Sequence, residues 1–462
     1  MSPTFRALSV RNYRIYASGS LISNIGTWMQ NTAQAWLVLV LTGSGTAIGI
    51  TVALQLLPTL LLSPYGGVLA DRFDKRTVLR VMQIAMAVPS ALLGVLAVTG
   101  LVQVWHVYVI ALVFGVGRAL EAPSRQAFVP EMVDAEVLGN AVALNSASFN
   151  AGRLVGPGLA GVMIAGFGGG VAGTGWVITI NAFSYLAALW ALQVMDIDRL
   201  TPTPVIGRGK GAVREGVRYV RSRPDLVLVL TCVFFLGGFG MNFQITSALM
   251  ATQEFGRGAS EYGLLGSLLA IGSLTGALLA ARRTTPRIRF VVLAGLAFSV
   301  VQVVSGLMPT YVTYAIVLPL IGVSVLTMAT TANAYIQMTV TPAMRGRVAA
   351  LYLTVFIGSV PFVAPLVGWV GEHLGARAAV VGTGLVAGLG VLVTTIWYLA
   401  RRRTGTRREE WRALTADLRS NHGRQAEVQR GRRRRAGLRL PQRRRAPRTV
   451  GPRGDRDPAD VR

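Results

Sequence analysis

The 462-residue chain is 52% hydrophobic and only 14% charged, where a soluble domain carries about 25% charged residues. Apolar runs of about 20 residues, enough to cross about 30 Å of hydrocarbon, recur through roughly the first 400 positions, which excludes a soluble globular protein and predicts an all-α polytopic membrane protein. The net charge of +26 does not indicate a nucleic-acid partner: 21 Arg against 7 Asp/Glu from Arg401 onward leave +14 (21 − 7) in that segment, and most of the rest lies in short loops on one side.

In chain order, twelve spans are predicted at 16–41, 46–70, 77–99, 104–124, 139–166, 174–195, 225–250, 260–281, 289–308, 311–333, 347–371 and 376–400. Alternate connections are basic: Arg6, Arg11 and Arg14 precede the first span, and Arg72, Lys75, Arg76 and Arg80 follow the second. Arg125, a group from Arg199 to Arg223, Arg282 to Arg289, Arg345 with Arg347, and Arg401–Arg403 continue the series, while the opposite connections offer little beyond Arg257 and Arg377. This bias predicts a cell (inner, cytoplasmic) membrane protein with both termini in the cytoplasm. Met1–Arg14 is polar and basic, and the apolar run after it is too long for a cleavable leader.

The division expected is an N-terminal six-helix bundle (1–198), a cytoplasmic linker (199–223), a C-terminal six-helix bundle (224–400) and a disordered Arg-rich tail (401–462). In the linker, Val213, Val217 and Val220 alternate with Arg214, Arg218 and Arg221 at helical spacing, predicting an amphipathic helix on the inner membrane surface. A faint repeat supports two pseudo-symmetric bundles. Gly67-Val68-Leu69-Ala70-Asp71-Arg72 returns about 210 residues on as Ala277-Leu278-Leu279-Ala280-Ala281-Arg282, and Val155-Gly156-Pro157 about 208 on as Val363-Ala364-Pro365. Such repeats place a substrate path between the halves near the midplane.

Gly67-x-Leu69-Ala70-Asp71-Arg72-x-x-Lys75-Arg76 resembles the loop 2–3 signature of the major facilitator superfamily. Gly152-x-x-x-Gly156-Pro157-x-x-Ala160-Gly161 is similar to that family's antiporter motif, and Arg118-Ala119-Leu120-Glu121-Ala122 to its intramembrane arginine motif. Leu8 to Arg14 and Ile25 to Gln30 resemble the branch containing the enterobactin exporter and macrolide-efflux proteins. The resemblance covers about residues 5–400. It implies alternating access and a gating loop of Gly67, Asp71, Arg72, Lys75 and Arg76, a charge latch that holds one conformation; the alternative reading of the same loop is a basic topology anchor that needs no switching. Asp74 stands where the family commonly has glycine.

Ionisable residues inside spans are few, and each is a functional candidate because charge at that depth costs a few kcal/mol. Arg118 and Glu121 are one turn apart, either a satisfied pair that Arg125 can join, or a proton-coupling site with Glu121 as carrier. Arg153 has no acid at its own depth and would meet an anionic substrate group, or carbonyls and water. Asn24, Thr27, Asn31 and Gln34 form a polar stripe on span one, joined by Gln55, Asn145, Asn242 and Gln244 on other spans. In lipid these must face protein or water, as helix-to-helix hydrogen bonds or, with Trp28 and Arg153, as an amphiphilic substrate cavity. Gly152, Gly156, Pro157 and Gly161 suit close helix packing.

Lys75 and Lys210 are the only lysines, and no phosphate-binding glycine loop contains either. His106, His373 and His422 have no metal-ligand spacing, Cys232 is the only cysteine, and Gly382-x-Gly384-x-x-Ala387 sits in an apolar run with no strand before it. No cofactor, metal, enzyme activity or obligate protein partner is therefore expected. The partners expected are a small amphiphilic substrate such as a siderophore or drug-like compound, protons and the lipid bilayer. A lipid or lysophospholipid translocator, and a receptor or scaffold that moves nothing, remain as alternatives.

Overall fold

The computed structural model describes residues 3–201, 212–282 and 286–402. The Arg-rich segment from Arg403 onward and the Gly-rich start of the linker through Gly211 lie outside the described residues. No strand occurs among the described residues. A 3-10 segment, Pro3–Ser9, leads into α1 (Arg11–Thr42), α2 (Gly45–Arg72), α3 (Lys75–Val98), α4 (Val104–Met132), α5 (Ala135–Gly166) and α6 (Gly170–Val194). After α7 (Ala212–Ser222) come α8 (Pro224–Gly240), α9 (Phe243–Leu249), α10 (Ala259–Ala281), α11 (Ile288–Gly306), α12 (Tyr311–Thr339), α13 (Pro342–Gly358) and α14 (Val360–His373). The last helix, α15, is Ala376–Arg402.

Among the described residues, ten helical stretches are long and apolar enough to cross a membrane. The two expected spans outside that set are α1 and α5, each a continuous 32-residue helix. Their lower hydropathy has a cause in packing. Asn24, Gln30, Asn31 and Gln34 on α1 are all buried, so these side chains face neighbouring helices, where polar groups find partners.

Two of the apolar stretches are broken. Pro224–Glu254 is interrupted at Met241 and Asn242, after a Gly-rich turn, and the Asn242 amide returns a hydrogen bond to the Gly238 carbonyl that the break frees. Pro342–His373 is interrupted at Ser359, where Pro361 begins the next segment without a backbone N–H. The two breaks touch: a Cβ on Gly237 would stand 2.8 Å from Ser359 Oγ.

The Lys75–Arg80 turn defines one end of the molecule, here the basic end. α1, α3, α5, α8, α11 and α13 start there, α2, α4, α6, α10, α12 and α15 return to it, and α9 and α14 carry the α8 and α13 spans on toward the opposite end. Contact between α1–α6 and α8–α15 is built on small residues. A Cβ on Gly263 of α10 would lie 2.9 Å from Gly161 Cα of α5, and one on Gly266 would lie 2.8 Å from Pro157 Cβ. The matching contact joins α2 and α14, where a Cβ on Gly45 would lie 2.7 Å from Gly368 O and one on Gly49 2.7 Å from Pro365 Cα. Thus Val155-Gly156-Pro157 and Val363-Ala364-Pro365, paired by the repeat, both lie on helices that meet the other set.

The amphipathic helix is present as α7, but its apolar side departs from expectation. Gly216 and Val220 are buried, and Gly216 packs on Arg347 and Leu351 of α13. Glu215 pairs with Arg347 at 2.8 Å. Arg214 and Arg218 remain exposed, as does Val217. The helix therefore docks on protein through a Gly-Val face; the four-residue spacing from Gly216 to Val220 puts both on one side.

Candidate functional site

The first turns of α1 and α5 are fixed to each other before any functional group appears. Tyr13 Oη donates to Ala141 O at 2.7 Å, Ala7 N donates to Asn140 Oδ1 at 2.8 Å, and Asn12 exchanges hydrogen bonds with the Asp196 backbone. Within this frame, α1, α3, α4, α5 and α6 enclose a cavity of about 340 Å³. Phe114, Phe149, Tyr185 and Met86 form apolar walls, Asn24, Asn145, Asn150 and Gln126 supply amides, and Arg118, Glu121 and Arg125 bring charge.

Glu121 is buried, and the expected pairing with Arg118 is not the one that forms. Arg125 donates to Glu121 Oε1 from Nη2 at 2.5 Å and from Nε at 3.0 Å, and Gln83 Nε2 of α3 donates to the same oxygen at 2.9 Å. Arg125 Nη1 reaches Asn24 Oδ1 at 3.1 Å, and Asn24 Nδ2 donates to Ser148 Oγ at 3.0 Å. Glu121 and Arg125 stand four apart with the acid N-terminal, the favoured orientation on a helix. Arg118 lines the cavity one turn earlier with no hydrogen-bonded or carboxylate partner among the described residues.

Other predicted cavity residues lie elsewhere. Trp28 packs edge-on against Phe149, with ring centroids 5.7 Å apart, and Arg153 lies over its other side at 5.9 Å. Arg153 turns toward the α10 contact rather than into the cavity, its Nη2 3.3 Å from Ser273 Oγ and its buried Nε without a partner. Gln55 Nε2 donates to Gln34 Oε1 at 2.8 Å, deeper between α1 and α2, and the buried Gln34 Nε2 has no partner among the described residues. Asn31 Oδ1 and Asn242 Oδ1 are buried without partners, and Gln244 is half-buried beside the α8–α9 break. The polar stripe therefore divides between cavity wall and helix-to-helix contacts.

The glycine motif of α5 serves two neighbours. Gly152 and Gly156 receive α1, with Asn24 C and Trp28 Cβ 2.8 and 2.6 Å from where their Cβ atoms would be, whereas Pro157 and Gly161 receive α10. Gly158 N donates to Ser267 Oγ at 3.1 Å, and that hydroxyl donates to Leu154 O at 2.7 Å.

In the last turns of α2, Gly67 is buried and neighbouring Gly66 abuts Ala119 O of α4, 2.6 Å from its missing Cβ. Asp74, not Asp71, caps α3: its Oδ2 accepts from Thr77 N at 2.8 Å and Thr77 Oγ1 at 2.7 Å. The departure from glycine at this position thus supplies an N-cap. Lys75 pairs with buried Glu131 of α4 at 2.5 Å, and Arg76 donates to Leu192 O and Gln193 O at 2.6 and 3.1 Å. Asp71 and Arg72 are exposed, with no hydrogen-bonded partner among the described residues.

At the end of the linker, Arg223 forms a two-pronged pair with Asp225 at 2.9 and 2.6 Å, and Tyr335 of α12 donates to the same carboxylate at 2.8 Å. Donating hydrogen bonds to the Asp225 carboxylate holds the Arg223 guanidinium above the usual arginine range. Sequence reasoning missed Gln83 and Glu131 as partners and Tyr335 as the donor to Asp225, because each of these contacts joins two helices that spacing along one helix does not connect.

A family model described as transmembrane secretion effector matches residues 2–423. The chain is similar to the staphyloferrin A transporter of Staphylococcus aureus, at 22% identity over 414 residues, 89% of this chain and 99% of the relative. It is similar to the multidrug efflux pump Tap of Mycolicibacterium fortuitum, at 26% over 380 residues (79% and 90%), and to the enterobactin exporter EntS of Citrobacter koseri, at 25% over 401 residues (83% and 89%). Among solved structures, an inward-facing, occupied bacterial homologue of the human lysosomal transporter Spinster matches with a TM-score of 0.66 at 14% identity, over 86% of this chain and 97% of that one. The inward-open xylose transporter XylE from E. coli matches at 0.64 with 12% identity (84% and 95%). These structural likenesses carry the fold.

Proposed function

The chain belongs to the transmembrane secretion effector family of the major facilitator superfamily and is a multi-pass membrane transporter; on that premise we propose that it is a proton-coupled exporter of a bulky amphiphilic compound. Twelve spans form two six-helix halves, 1–198 and 224–400, joined by the 199–223 linker. The basic end faces the cytoplasm, with both termini, in a cell membrane whose inner surface carries the positive loops.

The observation that carries this reading is an asymmetry between the two ends. The hydrogen bonds described between the halves run from the middle of the helices to the end opposite the basic loops: Arg153 to Ser273, Gly158 and Leu154 with Ser267, and Ser44 and Thr46 to Glu372. The charged cavity is lined by the basic-end portions of α1, α4 and α5, and the Asp71 carboxylate at that end has no partner among the described residues. This is a carrier closed to the outside and released toward the cytoplasm, and export requires the reverse closure, with the Asp71 loop acting as the cytoplasmic latch. Protonation of Glu121 would remove the acceptor that holds Arg125 and Gln83, giving a proton a way to change helix contacts at the cavity. The names of the relatives, a siderophore transporter, a siderophore exporter and a multidrug pump, support an amphiphilic organic substrate.

The test is efflux in everted membrane vesicles, with a panel of siderophores, drug-like amphiphiles and labelled lipids, with and without collapse of the proton gradient. Gradient-dependent movement of an amphiphile supports the proposal. Movement of labelled lipid alone replaces it with lipid translocation, and no gradient-dependent movement of any compound overturns it.

A further inference from the structure

The charge balance of the cavity bears on what it holds. Of its lining residues only Arg118, Glu121 and Arg125 are charged, a formal sum of +1 (2 − 1). Glu121 is committed to Arg125 through two donors on one oxygen, and Gln83 occupies that same oxygen. The third nitrogen of Arg125 is taken up by Asn24. That leaves the Arg118 guanidinium facing the cavity with no anionic group within 4 Å among the described residues, beside Phe114 on its own helix and Tyr185 on α6.

An unpaired cation among low-dielectric walls is stabilised by an anion more than by any neutral group. A guanidinium presents a planar fork of donors that matches a carboxylate or similar oxyanion in two-point geometry. The aromatic faces of Phe114, Phe149 and Tyr185 suit an apolar or aromatic body attached to that anion.

Building on the transporter reading, we infer that the cavity is a site for anionic amphiphiles, with Arg118 receiving a carboxylate of the substrate and the aromatic walls its apolar part. Cationic amphiphiles are rejected by the same guanidinium. Glu121 is not the anion's partner; Arg125 offsets its charge, so the cavity keeps a formal charge of +1. Arg153, turned toward Ser273 and covered by Trp28, lies behind the cavity wall and is not the anion's partner.

The test uses the purified full chain and three radiolabelled probes with one ring system: 1-naphthylacetate, neutral 1-naphthylacetamide and cationic 1-naphthylmethyltrimethylammonium. The wild-type protein is expected to bind the carboxylate tighter than the amide by about tenfold, the scale of one charge-assisted hydrogen bond, and the cation weakest. Arg118→Gln should bring the carboxylate-to-amide ratio close to one without weakening amide binding, Arg118→Lys should retain part of the preference, and Arg153→Gln should leave the ratio unchanged. If Arg118→Gln does not fold, the lysine variant decides, because its single-point charge must lower the ratio. A wild-type preference for amide or cation, absence of carboxylate binding, or an unchanged ratio in the folded Arg118 variant overturns the inference. Anion preference without gradient-driven transport would instead remove the exporter reading and leave this site standing, and gradient-driven transport with no anion preference would do the opposite.

Discussion

Glu372 Oε2 lies 2.5 Å from Ser44 Oγ, so a carboxylate of α14 meets the N-cap residue of α2. The same oxygen accepts from Thr46 Oγ1 at 2.6 Å and Thr46 N at 3.1 Å, while Ser44 Oγ accepts from Ala47 N at 3.1 Å. An anion at a helix N-terminus is favoured by the helix dipole and by its unbonded N–H groups. Here the anion comes from the other half, so the cap is also a clasp across the end opposite the basic loops. Glu372→Ala should weaken that closure by about 1 kcal/mol, the scale of an exposed charge-assisted contact. Spin labels on exposed Leu101 and Leu307, read by pulsed dipolar spectroscopy, should gain a longer-distance population; an unchanged distribution rules the clasp out.

The glycine contacts set a steric limit on the same closure. At Gly263 an added side chain would meet the Gly161 backbone, and at Gly45 the Gly368 carbonyl. Gly263→Leu and Gly45→Leu should each reach the membrane at normal levels, lose transport and lengthen the Leu101–Leu307 distance. Wild-type transport by both would mean that the tight seam has no role in the cycle.

Lys75 and Glu131 form a buried pair, with side-chain exposures of 12% and 6%. Removing one partner of such a pair leaves an uncompensated charge and costs about 3–5 kcal/mol. Glu131→Gln should lower the melting temperature in detergent, and Lys75→Met combined with Glu131→Leu should recover much of it. A double variant no more stable than Glu131→Gln would show that the loss does not come from the stranded charge.

Asp71 is exposed and unpaired while its neighbours Lys75 and Arg76 are anchored. A residue whose contacts form only in the opposite conformation contributes little to the stability of this one. Asp71→Asn should therefore leave the melting temperature unchanged and reduce transport several-fold at equal expression, on the scale of about 1 kcal/mol of lost coupling. Undiminished transport rejects the latch.

Helix positions were legible in the sequence because each apolar run had to cover a bilayer's depth, and charged or glycine-bearing turns marked the ends. Even α1 and α5, the most polar, were legible from their length and from Asn24 to Gln34 at helical spacing. The breaks at Asn242 and Ser359 were not, since hydropathy continues across them. Within the candidate site, Glu121 stood out as an acid inside an apolar run, but the sequence left its partner open between Arg118 and Arg125. Arg118 and Arg125 lie three and four residues away on the same helix, and only the position of Asn24 and Gln83 on other helices selects between them. Arg153 was legible as a buried cation, while the side of α5 it occupies depends on how that helix divides its small residues between α1 and α10.

We propose that Glu121 carries the coupled proton, and Glu121→Gln in proteoliposomes is the most direct test. A neutral glutamine keeps the shape of the side chain and cannot titrate. Substrate counterflow, which needs no net proton movement, should persist, whereas uphill transport driven by an imposed pH gradient should fall to background. Uphill transport in the variant that still follows the proton gradient as the wild type does would contradict the claim.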